Sequence, residues 1–100
     1  MIKKGDFVLI RTYSAGVHFG TLVSKEGKEV TLKNARRLWS WQGALSLSEV
    51  AMKGVTLKDS KISTPVDEII LLESIEIILI SKNSNLPNNE AIKKSTLAES

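Results

Sequence analysis

Every arginine of the chain (Arg11, Arg36, Arg37), every aromatic residue (Phe7, Tyr13, Phe19, Trp39, Trp41) and its single histidine, His18, fall between positions 7 and 41. Arginine grips phosphate through a fork of donors and aromatic rings stack on nucleobases, so this stretch holds the residue types that recognise planar, anionic ligands. The densest part is Ala35-Arg36-Arg37-Leu38-Trp39-Ser40-Trp41. On a strand, Arg37, Trp39 and Trp41 project to one face and Arg36, Leu38 and Ser40 to the other, which makes the first set a platform for a base with a phosphate beside it. Arg11 and Tyr13 repeat that texture on a smaller scale. The turn Ser14-Ala15-Gly16 after them is made of small residues that let backbone N–H groups approach an anion. His18, just beyond, can hydrogen-bond a ribose, a base edge or a phosphate. Ser46 and Ser48 join the candidates because they open a helix, and a helix N-terminus attracts phosphate.

Each candidate also has a purely structural reading. A tryptophan buries a large area, so one of Trp39 and Trp41 is expected to pack inside. Arg36 and Arg37 face opposite ways, so one is expected at a ligand or interface and the other in solvent or against a carboxylate. Arg11, on a half-buried strand, needs a partner. His18 by itself reads equally well as a satisfied polar residue. Helix capping already accounts for Ser46 and Ser48.

The elements that must position these residues belong to one small domain of 100 residues, 42% hydrophobic, with net charge +3. Residues 1–60 carry a surplus of five positive charges and residues 61–100 a deficit of two. No cysteine is present, which excludes a disulfide framework, a thiolate zinc site and thiol catalysis. One histidine leaves too few ligands for a histidine metal site. With no Walker loop and no glycine-rich dinucleotide fingerprint, a binding protein without cofactor or metal is expected rather than an enzyme. The N-terminus lacks the apolar core of a signal peptide and no apolar run reaches membrane-spanning length, so a cytoplasmic location without membrane contact is expected.

Residues 6–13, 17–24, 29–32 and 35–41 read as strands, with a charged hairpin turn over 25–28 and a break at Lys33-Asn34. Ser46-Leu47-Ser48-Glu49 matches a capping box, Leu45 and Val50 a hydrophobic staple, and Gly54 a stop, which predicts a short helix over 47–53. Residues 55–64 read as a linker. The aliphatic run after Pro65 predicts two strands, 68–72 and 75–80, that must lie in the core or in a subunit interface. The expected fold is mainly β (α+β): a small antiparallel meander or half-barrel over 1–81. A polar tail, 82–100, is helical from Asn89 and docks on a neighbouring subunit if it is ordered.

The runs Arg11-Thr12-Tyr13-Ser14-Ala15-Gly16-Val17-His18-Phe19-Gly20-Thr21-Leu22, Leu32-Lys33-Asn34-Ala35-Arg36-Arg37-Leu38-Trp39-Ser40-Trp41 and Gly43-Ala44-Leu45-Ser46-Leu47-Ser48-Glu49 resemble a family of small phage-encoded proteins over residues 4–81. The chain thereby resembles the phage anti-CBASS sponges, oligomeric proteins that sequester cyclic dinucleotide alarm signals such as cyclic GMP-AMP. That resemblance implies a β-rich homo-oligomer, with a tetramer favoured, which holds its ligand intact in the host bacterial cytoplasm. It assigns no individual ligand residue. Two other readings stand beside it: a small-barrel RNA- or DNA-binding module, for which a five-charge surplus is a thin footprint, and a structural or host-interaction phage protein.

Overall fold

The computed structural model describes residues 1–88. It is mainly β, with strands β1 (Phe7–Thr12), β2 (Val17–Glu26), β3 (Glu29–Ser40), β4 (Lys61–Ile62), β5 (Val66–Leu71) and β6 (Ser74–Leu79) and one helix, α1 (Leu47–Lys53). A 3₁₀ turn, Leu57–Asp59, and β4 occupy the stretch expected as a linker. All pairings are antiparallel. β2 lies along one edge of β3, while β4 takes the far end of the other edge (Leu38↔Ile62) and β5 the near end (Val30↔Leu71). The principal order is therefore β5-β3-β2-β1-β6. β5 and β6 are consecutive in the chain yet lie at opposite edges, joined only by Leu72-Glu73, so the sheet has to curl until its ends meet. Ser74 clasps the curl, since both its N and its Oγ donate to Lys28 O in the β2–β3 turn, at 3.1 and 2.8 Å. The result is a half-barrel.

β3 is one strand and not two, because the expected break at Lys33-Asn34 is a bulge: Asn34 takes φ +51 and the β2–β3 register shifts beside it. A bulge inserts one residue, which reverses the inward/outward alternation beyond it. Val30 and Leu32 before the bulge, and Ala35 after it, all face the inside of the curl with Val8, Ile10, Leu22 and Leu71. Leu38 instead joins Leu9 and Phe19 on the other face, where α1 supplies Val50 and Ala51. β1 is thus buried on both faces. Phe7 and Phe19 meet edge to face with centroids 5.9 Å apart.

Local chemistry explains α1. Ser46 Oγ accepts from Glu49 N at 3.2 Å, as a cap should. Glu49 reaches one residue further back than a capping box requires, its Oε2 accepting from Leu45 N at 3.0 Å. The expected staple does not form, because Leu45 is 97% exposed while Val50 is fully buried. Gly54 ends the helix, its N donating to Val50 O at 2.8 Å.

Residues 82–88, expected to belong to the tail, pack on their own domain. Leu86 is buried in the helix-side core, and Asn85 pairs with the Val55 backbone through Oδ1 (from Val55 N, 2.9 Å) and Nδ2 (to Val55 O, 2.6 Å). The helix expected from Asn89 lies outside the described residues. The aliphatic run divides: Leu71 and Ile80 are buried, whereas Ile70, Leu72, Ile75 and Leu79 are exposed.

Candidate ligand-binding site

The curl brings together two turns that are far apart in sequence. β1 ends at Thr12, the chain turns through Tyr13-Ser14-Ala15-Gly16 into β2, and the Leu72-Glu73 corner docks on that turn. Thr12 holds the turn from within: Oγ1 donates to Gly16 O at 2.7 Å and accepts from Ala15 N at 2.9 Å. Two bonds fasten the corner, Tyr13 N to Glu73 O and Ser14 Oγ to Glu73 Oε1, each 3.0 Å. Behind them lies a cavity of about 480 Å³, walled by Thr12, Ser14, Ala15, His18, Arg37 and residues 69–73.

His18 and Arg37 are register partners on β2 and β3, so their side chains share the face that looks into this cavity. His18 is only 6% exposed, and its Nδ1 is buried with no hydrogen-bond partner. Burial pushes the imidazole pKa down from its ordinary value, and the adjacent Arg37 guanidinium pushes it the same way. Protonation would leave a buried N–H donor without an acceptor beside a cation, so the ring is held neutral.

Arg37 reaches the surface between two hollows. Its guanidinium carbon stands 5.3 Å from the Trp39 ring centroid, within cation–π range. It also lies against Gly16, where a Cβ would come within 3.1 Å of Nη2. Gly16 has φ +83, so the turn needs glycine there for its backbone as well as for the room Arg37 takes. Among the described residues no carboxylate forms an ion pair with Arg37. Gly16, Arg37, Trp39 and Trp41 also wall a smaller hollow of about 190 Å³. Trp39 is 65% exposed, which leaves a ring face open to a base.

Of the residues expected from sequence, Ser14, Ala15, His18 and Arg37 meet at the cavity, and Gly16, Trp39 and Trp41 meet at the adjoining hollow. Trp41 does not continue the Arg37–Trp39 face: β3 ends at Ser40, and Trp41 packs half-buried against the helix-side core. Arg36 points away, Nη1 donating to Ser63 O at 3.2 Å. Arg11 is solvated and paired across strands with Glu76 at 3.4 Å. Tyr13 is exposed over a separate hollow with Lys28 and Ile75. Ser46 and Ser48 sit at α1, and neither lines the cavity. The anticipated backbone nest is partly closed, since Tyr13 N and Ala15 N are already committed to Glu73 O and Thr12 Oγ1. Thr12, Glu73 and residues 69–72 were not anticipated at all; the aliphatic run gave only a core or interface signal. No group of three or more His, Cys, Asp or Glu residues among those described is placed to share a metal ion, and no described helix is long and apolar enough to cross a membrane.

The lowered His18 pKa has a consequence for stability. Above the ordinary histidine value of about 6.5 the ring is neutral folded or unfolded, and its contribution is constant. Below it the unfolded chain binds a proton that the folded chain resists, so stability falls with pH until the lowered folded value is passed. Unfolding free energies from urea titrations between pH 7.5 and 5.5 are expected to fall toward the acid end, with a slope of at most about 1.4 kcal/mol per pH unit for one proton. His18→Gln is expected to flatten the profile; an equally steep slope in that variant would assign it elsewhere.

Residues 5–86 match the family described as a domain of unknown function, DUF6948. The chain belongs to that family. The DUF6948 match starts just before β1 and runs to Leu86, so the cavity and both of its turns lie within the family's domain. Neither a curated protein nor a solved structure matches the chain.

Proposed function

We propose that this DUF6948 protein is a sponge: it sequesters a cyclic dinucleotide such as cyclic GMP-AMP, without cleaving it, and so blunts a signal of bacterial anti-phage defence in the host cytoplasm. The observation that carries this reading is the Arg37 guanidinium, free of any carboxylate among the described residues, stacked on exposed Trp39 at the lip of the cavity that holds His18. A guanidinium pairs with phosphate through two parallel hydrogen bonds, and an indole face accepts any base. Glu73, on the opposite wall, supplies an acceptor for a sugar hydroxyl or a base N–H.

A cyclic dinucleotide presents two bases and two phosphates, whereas one chain presents one Arg37–Trp39 pair. Two copies facing each other match the ligand's own duplication, in keeping with a homo-oligomer; a tetramer is the count that the resemblance to the sponges implies. Exposed Ile70, Leu72, Ile75 and Leu79, beside the cavity and along β6, suit a contact between copies.

Calorimetry against a panel of cyclic di- and trinucleotides tests the reading, followed by recovery of intact ligand after heat denaturation. Trp39→Ala is expected to weaken binding about tenfold or more, the worth of one aromatic–base stack, while the fold persists because the ring is largely exposed. Binding to no member of the panel would sink the proposal. Affinity for long oligonucleotides that collapses with salt would assign an RNA- or DNA-binding module in its place.

A further inference from the structure

We propose that the His18–Arg37 end of the cavity is a phosphate subsite that takes up a proton together with its ligand: a phosphate held by Arg37 converts neutral His18 into an imidazolium that donates to the same anion. The inference rests on the functional reading above only for the expectation that the ligand carries phosphate. Its basis is an unusual pairing of neighbours. His18 is nine-tenths buried, lines the cavity and leaves a ring nitrogen without a partner, and the group beside it in register is a guanidinium with no carboxylate to neutralise it among the described residues. Buried polar nitrogens find partners in nearly all folded proteins, so an orphan on the wall of a cavity marks a place where a ligand or water completes the set.

The charged groups around the imidazole define how it responds. From β3 it faces Arg37, from the β5–β6 corner it faces Glu73, and from β1 and β5 the cavity wall is Thr12 and the uncharged residues 69–71. Arg11 is occupied with Glu76, and Arg36 lies on the other face of β3. Of these charges Arg37 is the one that acts on the ring, whereas the Glu73 carboxylate accepts a hydrogen bond from Ser14 Oγ in the neighbouring turn. A phosphate anion between Arg37 and His18, singly charged in a phosphodiester and more highly charged in pyrophosphate, offsets that repulsion and gives the imidazolium an acceptor. The proton comes from solvent, no covalent bond changes, and the positive charge gained by the ring is matched by the anion that arrives. Binding is then tightest at mildly acid pH and weakens as pH rises, by up to about tenfold per pH unit across the window between the free and bound pKa values.

His18 is the only histidine of the chain, so a single imidazole titration followed by nuclear magnetic resonance in the full-length protein reads this site and no other. The probes are inorganic pyrophosphate and cyclic GMP-AMP. Without either, His18 is expected to titrate below the ordinary histidine value; with saturating pyrophosphate its pKa is expected to rise by about one pH unit or more, as an opposite charge within contact range produces. Arg37→Gln should raise the ligand-free value and remove the response to pyrophosphate. An imidazole titration that pyrophosphate leaves unmoved, through failure to bind or binding elsewhere, would overturn the proposal. A rise with pyrophosphate but none with cyclic GMP-AMP would keep the phosphate subsite and reject that cyclic dinucleotide as its ligand.

Discussion

Arg37→Ala is expected to lower affinity for the proposed cyclic dinucleotide about a hundredfold or more while leaving the fold intact, measured by calorimetry beside a thermal melt. The size follows from the kind of bond lost. A charge-assisted, bidentate contact to phosphate is about twice as strong as a neutral hydrogen bond, and Arg37 is the cation that walls both the cavity and the adjoining hollow. Its removal also takes the cation–π partner from Trp39, so the base platform loses its orientation along with the phosphate anchor. The fold should tolerate the change because the side chain is exposed and forms no ion pair among the described residues, and surface substitutions of this kind stay within about 0.5 kcal/mol. The same change made at Arg11 should leave binding almost untouched, since that guanidinium pairs with Glu76 in solvent away from the cavity. Equal losses from both substitutions would mean that the ligand lies across β1 and not in the cavity.

Gly54→Ala should cost about 3 kcal/mol or more of stability, read from urea unfolding at neutral pH. Two penalties combine. Gly54 has φ +89 and ψ −159, a region open essentially to glycine alone and costing another residue about 1–3 kcal/mol. A Cβ there would also collide with Asn85 Oδ1 and stand 2.6 Å from Asn85 N. Asn85 cannot simply step back, because its side chain is paired to both N and O of Val55 and the next residue, Leu86, is buried in the helix-side core. Either the end of α1 or the segment behind it must leave its place, and both contribute to the core that supports β1, β2 and β3. A loss below about 1 kcal/mol, the ordinary cost for a substitution, would show that residues 81–88 yield more easily than their buried contacts imply.

Much of the architecture was legible locally. The Gly27 turn, the Ser46 cap and the Gly54 stop each follow from a few adjacent residues whose chemistry permits little else, whereas the length of β3 and the presence of β4 do not. Ser14, Ala15, His18 and Arg37, each a candidate from sequence, line one cavity, but their meeting there follows from strand pairing. Alternation put Arg36 and Arg37 on opposite faces without saying which of them meets a ligand, and it grouped Trp41 with Arg37 and Trp39. Trp41 leaves the pattern because its strand has already ended, and Arg36 is claimed by Ser63, a partner twenty-seven residues away. The role of the aliphatic run was illegible for a related reason, since hydrophobicity says that a side chain seeks cover without saying which neighbour covers it. Leu71 finds that cover inside the curl, while Ile70 and Leu72 on either side of it do not.

Residue types and short-range spacing were enough to establish a small β-rich domain, a capped helix and an arginine- and aromatic-rich first half. Long-range pairing settled the rest. One extra residue at the Asn34 bulge reverses the alternation of β3, and with it which arginine stands beside His18. The two-residue link between β5 and β6 forces the sheet to close on itself and carries Glu73 against the Ser14 turn, making a cavity from segments about sixty residues apart. Side-chain direction along a strand and contact across a closed sheet depend on register, and register is a property of paired strands that no single segment contains.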